Sequence, residues 1–381
     1  MRVLHAADLH LDSAFAGLDD EKAALFRQES RDTLRRMVDW GNDHAADVML
    51  LAGDLFDSDS LFSQTARTLA LALARFRGKV FLAPGNHDFY AAGGCYDAVD
   101  WPENVHIFTA RTPQTVLLPE LNASVTGAAF TAAEEWQPFD GAAFAGGDAP
   151  IRLGILHGEV TRGESKYRAI APSEIKKTDL TYLALGHVRR FGGVQWAGKT
   201  AYAYSGCLPG RGFDETGDKG FLFGEVTPEG VDMEFVPFAL RRYQSVTADI
   251  TEREPAEAVR QALEPDCGQD ICRVLLTGAR REELSLAALQ AELAGLCAAL
   301  ELAVKEGFCF DAWDEFFDYD KWMSVVERTG VDPAFFANRQ MGLDEILPWD
   351  VIDCGVTKEF FKRERARAYE GRPTPNCREQ C

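Results

Sequence analysis

The chain has 381 residues, 46% of them apolar and 26% charged, which is an ordinary globular balance with length for two or three domains. Forty basic residues against 60 acidic ones leave a net charge of −20. That excludes a protein that grips nucleic acid by bulk electrostatics alone, but not an acidic metal site, because divalent cations reverse the local field. No apolar run has membrane-spanning length, MRVLHAADLHLDS does not read as a secretory signal, and the nine cysteines are scattered and odd in number. The expectation is a cytoplasmic chain with no membrane association and no disulfide scaffold.

Taken in order, residues 2–7 read as a strand and residues 21–44 as a helix with Ala24, Leu25, Leu34, Met37 and Val38 on its apolar side. Residues 48–52 are a continuous apolar strand, 62–76 a second helix and 79–83 a third strand. Such alternation predicts an α/β sheet with helices on its faces, and runs as apolar as VMLLA and VFLA suit strands buried on both sides. Strands are expected at 151–156, 182–185, 200–204 and 220–226. From about 241 the texture changes to strand 246–250, helix 255–263, strand 273–277 and helix 285–300, enough for a small second domain. After about 303 an aromatic and acidic stretch begins, FCFDAWDEFFDYDKW, followed by short helical pieces.

Five of these strands each deliver metal-competent side chains just past their C-terminal ends. They run into Asp8-Leu9-His10, Gly53-Asp54-Leu55-Phe56-Asp57, Pro84-Gly85-Asn86-His87-Asp88, His157-Gly158 and Gly186-His187. In open α/β sheets that edge is where sites are built. Any one of these turns, taken alone, is an ordinary strand ending; five in order are not explained by turn chemistry. Carboxylates, imidazoles and an amide oxygen together favour Mn, Fe or Zn over a purely oxygen-ligated ion. The donors are too many for one tetrahedral ion and sufficient for two, the arrangement that clamps a phosphoester for hydrolysis.

The series DLH, GDLFD, GNHD, LHG and GH resembles the calcineurin-like metallophosphoesterase superfamily. ADLHLDS and YAYSGCLPGRGFDETGDKGFLFGEV, at 202–226, are similar to the bacterial SbcD/YhaO-type DNA repair exonucleases over about residues 1–300. The resemblance implies an α/β fold: a two-layer β-sandwich flanked by helices, a small α/β cap domain and, here, a helical C-terminal appendage. The corresponding boundaries are 1–240 for the nuclease domain, 241–303 for the cap and 304–381 for the tail. It also implies two divalent metal ions, most often Mn, DNA as substrate and an SbcC-type coiled-coil ATPase partner; a homodimer is a further expectation. Carried over residue by residue, Asp8 and His10 hold the first metal, Asp54 bridges, and Asn86, His157 and His187 hold the second. His87 is the catalytic histidine, and Asp88 either orients it or is a turn carboxylate.

One position departs from the pattern. The family's Gly-His-x-His motif reads Gly186-His187-Val188-Arg189 here, and arginine has no lone pair to give a metal. Two readings stay open: Arg189 points outward or holds a DNA phosphate, or the first metal site is weak and the chain is a poor nuclease or a binding subunit. A phosphoesterase with a non-DNA substrate is a further alternative. Arg189, Arg190 and Arg211 are the expected substrate-binding residues, within a wider basic set of Arg162, Lys166, Arg168, Lys176, Lys177, Arg241 and Arg242. The tail, with LPWDVIDCGVTKEF and TPNCREQC, is similar to the end of cobalamin-binding-type radical SAM proteins, but the Cys-x₃-Cys-x₂-Cys cluster motif is absent.

Overall fold

The computed structural model describes residues 1–278, apart from 16–19, 58–62, 146, 252 and 264–266, together with Leu289. The chain divides into two units, Met1–Gln244 and Ser245–Cys381. In the first, β1 (Arg2–Ala6), α1 (Asp20–Asp43), β2 (Val48–Leu51), α2 (Ser63–Leu73) and β3 (Lys79–Leu82) follow the alternation expected from the sequence. Short strands β4 (Val105–Ile107), β5 (Gln114–Leu118) and β6 (Ala123–Ala128) come next, then the long β7 (Ile151–His157). The two-residue strands β8 (Glu159–Val160) and β9 (Ala169–Ile170) precede α3 (Pro172–Thr178), which opens on a proline suited to a first helical turn. The unit closes with β10 (Tyr182–Gly186), β11 (Gln195–Ala197), β12 (Thr200–Tyr204), β13 (Gly220–Val226) and β14 (Val231–Pro237).

These strands make two six-stranded sheets, ordered β14-β13-β1-β2-β3-β4 and β11-β12-β10-β7-β6-β5. Parallel pairing runs through β1-β2-β3-β4 in one and β12-β10-β7-β6 in the other, with antiparallel strands at the flanks. β2 shows why two sheets must stack. Its four residues are all fully buried, with Met49 and Leu51 packing against α1 and α2 and Val48 and Leu50 packing against the second sheet. The inter-sheet layer pairs Val3, Val48, Leu50 and Phe81 with Val125, Leu153, Ile155 and Tyr182. On the far side, Leu156, Leu183 and Leu185 pack with Ile175 of α3. The result is the expected two-layer sandwich flanked by helices. Parallel strands covered on both faces read as unbroken apolar runs for this reason.

Two details differ from the sequence reading. Leu25 is 50% exposed and Ala24 is exposed, because the buried stripe of α1 runs through Ala23, Ser30, Leu34, Met37 and Val38 instead. β4, β5, β6 and β14 are not individually expected from the sequence: β4 is short, β5 and β14 are largely exposed or half-exposed, and β6, though buried, is a run of small and polar residues (ASVTGA) with no apolar pattern.

In the second unit, β15 (Tyr243–Asp249) and β16 (Ile271–Thr277) form a two-stranded sheet, with α4 (Pro255–Ala262) between them in sequence. Ala248, Ile250, Ala258 and Val259 form its small core. Apart from Leu289, which is helical and buried, the helix expected at 285–300 lies outside the described residues, as do the tail at 304–381 and its Cys377 and Cys381.

Candidate metal centre and active site

The register places the site. β1, β2 and β3 are neighbours running the same way, so their C-terminal ends lie side by side. β7 and β10 are neighbours in the other sheet, with His157 directly opposite Gly186. At this end the two sheets touch: His157 Nδ1 donates to the Ala52 carbonyl at 2.8 Å, and a Cβ on Gly186 would lie 1.8 Å from that same oxygen. Loops from five strands therefore meet at one rim.

The loop backbones are bent hard to do this. Asp8, His10, Asp54 and His187 all have positive φ, at 53°, 41°, 51° and 109°. Non-glycine residues avoid that region, and strained backbone of this kind concentrates at functional sites. Asp8 N–H donates to the Gly53 carbonyl (2.9 Å) and His10 N–H to the Asp54 carbonyl (3.0 Å), tying the first two loops together. Gly85 allows the third to close in: a Cβ there would sit 2.2 Å from Asp54 Oδ1.

The side chains converge. His10 Nε2 lies 3.9 Å from Asp8 Oδ1 and 3.8 Å from Asp54 Oδ2. Asp54 Oδ2 is 3.4 Å from His157 Nε2, which is 3.2 Å from Asn86 Oδ1, which is in turn 3.3 Å from His187 Nδ1. Asp8, His10, Asp54 and His157 are almost wholly buried. Yet Asp8 Oδ1 and His10 Nε2 have no hydrogen-bond partner. Buried polar atoms left facing one another without a partner are costly, and a cation between them removes that cost. Asp8, His10 and Asp54 each offer an atom within 4.8 Å of the others, a spacing that a metal ion fits.

Tethers on the far ring nitrogens aim the imidazoles. His10 Nδ1 donates to Asp57 Oδ1 at 3.0 Å, leaving the Nε2 lone pair toward the carboxylates. His157 is tethered in the same way through Ala52.

The electrostatics couple the two buried carboxylates to the imidazoles around them. Burial pushes Asp8 up to about 7, aided by the nearby Asp54 charge and opposed by His157. Burial opposes the charged form of His157, but Asp54 outweighs it and raises the imidazole to about 9. Burial would raise Asp54 too; its His157 and His10 neighbours instead hold it well below the usual carboxylate range. His187 is lowered to about 4 by burial and by the adjacent His157.

His87 stands at the rim, its side chain 37% exposed, and its ring meets His10 edge-on at 5.0 Å. Its backbone N–H donates to Asp54 Oδ1 at 2.9 Å.

Asp88 has the contacts of a turn carboxylate, one of the two readings its sequence position left open. Its fully buried carboxylate accepts from the backbone N–H groups of Gly85, Asp54, Leu55 and Phe56 and from the Tyr96 hydroxyl. It pins the second and third loops together. Asp57 is the carboxylate beside His87, with its carbonyl 3.4 Å and its Oδ1 3.9 Å from His87 Nδ1. Its only sequence signal was its place in GDLFD, three residues after Asp54.

Arg189 Nη1 donates to Glu215 Oε1 at 2.9 Å, and Arg211 donates from Nη1 to Asp57 Oδ1 at 2.8 Å. Arg190 is exposed and has no ion-pair partner among the described residues. Much of the wider basic set is already neutralised: Lys166 by Glu134, Lys177 by Glu174, Arg241 by Glu29 and Arg242 by Asp218. Arg168 is buried, paired with Glu135 and stacked on Phe130, so it is a core residue and not a DNA contact.

Residues 1–189, which hold every one of the metal-competent side chains, match the family described as calcineurin-like phosphoesterase. This segment is similar to a calcineurin-like phosphoesterase domain. The chain is 29% identical over 395 residues to the uncharacterized metallophosphoesterase YhaO of Bacillus subtilis, covering 99% of this chain and 95% of that protein. Similar solved structures include TT1561 of Thermus thermophilus (12% identity, 61% of this chain and 96% of that one, TM-score 0.40). A dimetal phosphatase from Danio rerio is another (12% identity, 63% and 99%, TM-score 0.39). The family match supports a phosphoesterase domain that uses divalent metals, and the orphaned Asp8 and His10 atoms fit that requirement. No described helix of the chain is long and apolar enough to cross a membrane.

Proposed function

We propose that the chain is a Mn-dependent phosphodiesterase acting on DNA, an SbcD-like exonuclease or endonuclease of DNA repair. One observation carries the chemistry: Asp8, His10, Asp54, Asn86, His157 and His187 surround a single buried pocket in which Asp8 Oδ1 and His10 Nε2 lack partners. In this reading Asp8 and His10 hold one ion, Asn86, His157 and His187 the other, and Asp54 lies between them. Mixed nitrogen and oxygen donors favour Mn over Mg. A bound pair of divalent ions supplies Lewis acidity and activates water for attack on phosphorus. The residues do the rest. His87 at the rim protonates the departing oxygen or stabilises charge on the phosphoryl group, a role that suits an imidazole. Arg189, Arg190 and Arg211 contact backbone phosphates. With −20 overall, affinity for DNA is weak and salt-sensitive, and an SbcC-like ATPase subunit supplies the remainder.

A small phosphodiester substrate is the second reading. The observation favouring it is the neutralisation of Lys166, Lys177, Arg241 and Arg242 by acidic partners, which leaves little free positive surface for a duplex.

The test is hydrolysis of 3′-ended duplex DNA and of bis(p-nitrophenyl) phosphate with Mn and with Mg. His87→Ala should keep bound metal and lose roughly 10²–10⁴-fold in turnover. Cleavage of the small diester with none of DNA selects the second reading.

A further inference from the structure

Arg189 follows His187 by two residues, next to the donors of the metal pocket. Its Nη1 is held by Glu215 Oε1 at 2.9 Å, while its field still reaches the pocket and disfavours protonation of Asp8, His10 and His187. The same Glu215 carboxylate accepts from Arg211 Nη2 at 3.3 Å and from the Arg211 backbone N–H at 2.8 Å. Arg211 Nη1 then bridges to Ser13 Oγ (3.1 Å) and to Asp57 Oδ1 (2.8 Å), the very oxygen that accepts from His10 Nδ1. Glu215 is 3% exposed, whereas Arg211 is 16% and Arg189 36% exposed. A buried anion thus sits behind Arg189, which is partly exposed, and is braced from within by Arg211, whose Nη atoms are held by Glu215, Ser13 and Asp57. Among the described residues Arg189 Nε and Nη2 have no protein partner, so two parallel donors remain for a ligand.

Two guanidiniums sharing one buried carboxylate would otherwise repel each other. Planar guanidinium donors match phosphate oxygens bidentately, and a side chain already fixed in place loses less freedom on binding.

Resting on the phosphodiesterase reading above, we infer that Glu215 is a positioning residue that, braced by Arg211, holds Arg189 as a bidentate guanidinium clamp for a substrate phosphate at the rim of the metal pocket. Arg189 accordingly serves the substrate and not the metal, which gives the departure from the family's second histidine a function. The sequence carried no local signal for this, since Glu215 lies 26 residues beyond Arg189.

The experiment uses the full chain in two forms. Stripped of metal by a chelator, it is titrated calorimetrically with inorganic phosphate; loaded with Mn, it is assayed on bis(p-nitrophenyl) phosphate. Glu215→Gln keeps the shape and removes the charge. It should weaken phosphate binding and raise KM about tenfold, the value of one charge-assisted hydrogen bond, with kcat changed less than about threefold. Arg189→Gln, a change at a partly exposed side chain, should do the same and serves if Glu215→Gln fails to fold. Unchanged phosphate affinity in a folded variant overturns the clamp, as does a fall in kcat and metal content at constant KM. Absence of turnover in the unaltered chain defeats the phosphodiesterase reading instead, and the phosphate titration still decides the clamp.

Discussion

His10 and His157 both present Nε2 to the pocket because Nδ1 is committed elsewhere, to Asp57 Oδ1 and to the Ala52 carbonyl. The two tethers differ in what mutation can reach. The carbonyl of Ala52 is fixed by the fold, but Asp57 is a side chain. Burial alone would raise Asp57, yet the His10 hydrogen bond and the Arg211 charge hold it at about 2, so it is ionised throughout the working range. Asp57→Asn should therefore let the His10 ring turn. We expect metal affinity to fall by roughly 10–100-fold, the usual cost of losing such a tether, as read by Mn titration of the stripped chain. Titrations that overlay would show that packing alone orients His10. Asp57 was visible in GDLFD but had no assigned role, because nothing local says which of two carboxylates three residues apart faces the metal.

The loops after β2 and β3 act as one element. Asp88 collects four backbone N–H groups and the Tyr96 hydroxyl, and Gly85 lets Asp54 approach where no side chain would fit. Asp88→Ala leaves several buried donors unpaired and should cost roughly 3 kcal/mol, seen as a lower urea midpoint with unchanged m. If stability holds and only the pH dependence of turnover moves, Asp88 does act on His87 after all. Gly85→Ala should act on both metal and fold: the added carbon meets Asp54 Oδ1 at 2.2 Å and the Asp54 backbone nitrogen at 2.6 Å, so bound metal and stability fall together. Full metal content in that variant would mean the loop relaxes away. The strand endings themselves were legible, since apolar runs stopping at Gly or Pro and then a polar cluster form a pattern of adjacent residues. The duty of Asp88 was not, because its partners lie on another loop.

Across the whole molecule, the two sheets meet through a layer that is apolar except at a few points. At one of them, His5 of β1 lies between the Tyr182 hydroxyl (2.8 Å) and the Leu185 carbonyl (3.1 Å) of β10. Burial lowers its pKa from 6.5 to about 3. The folded state therefore binds fewer protons than the unfolded state between those values. The stability this provides is complete above pH 6.5 and is lost as pH falls toward 3, by about 1.4 kcal/mol per unit. Urea unfolding at pH 7.5 and 5.0 should show that slope, and His5→Gln should flatten it. Equal slopes in both proteins would assign the acid sensitivity to another group. Nothing in RVLHA distinguishes this histidine from a ligand; only the opposing sheet does.

What the sequence determined by itself was the five strands that carry the site, the order of their polar endings and hence the donor chemistry, because apolar periodicity and turn composition are written in neighbouring residues. Tertiary structure decided which donors share a pocket, that Asp88 braces loops while Asp57 attends the histidines, and that Glu215 holds Arg189. Those outcomes depend on sheet register and on the stacking of two sheets, which bring together groups 26 to 179 residues apart. Distances of that kind leave no trace in local pattern.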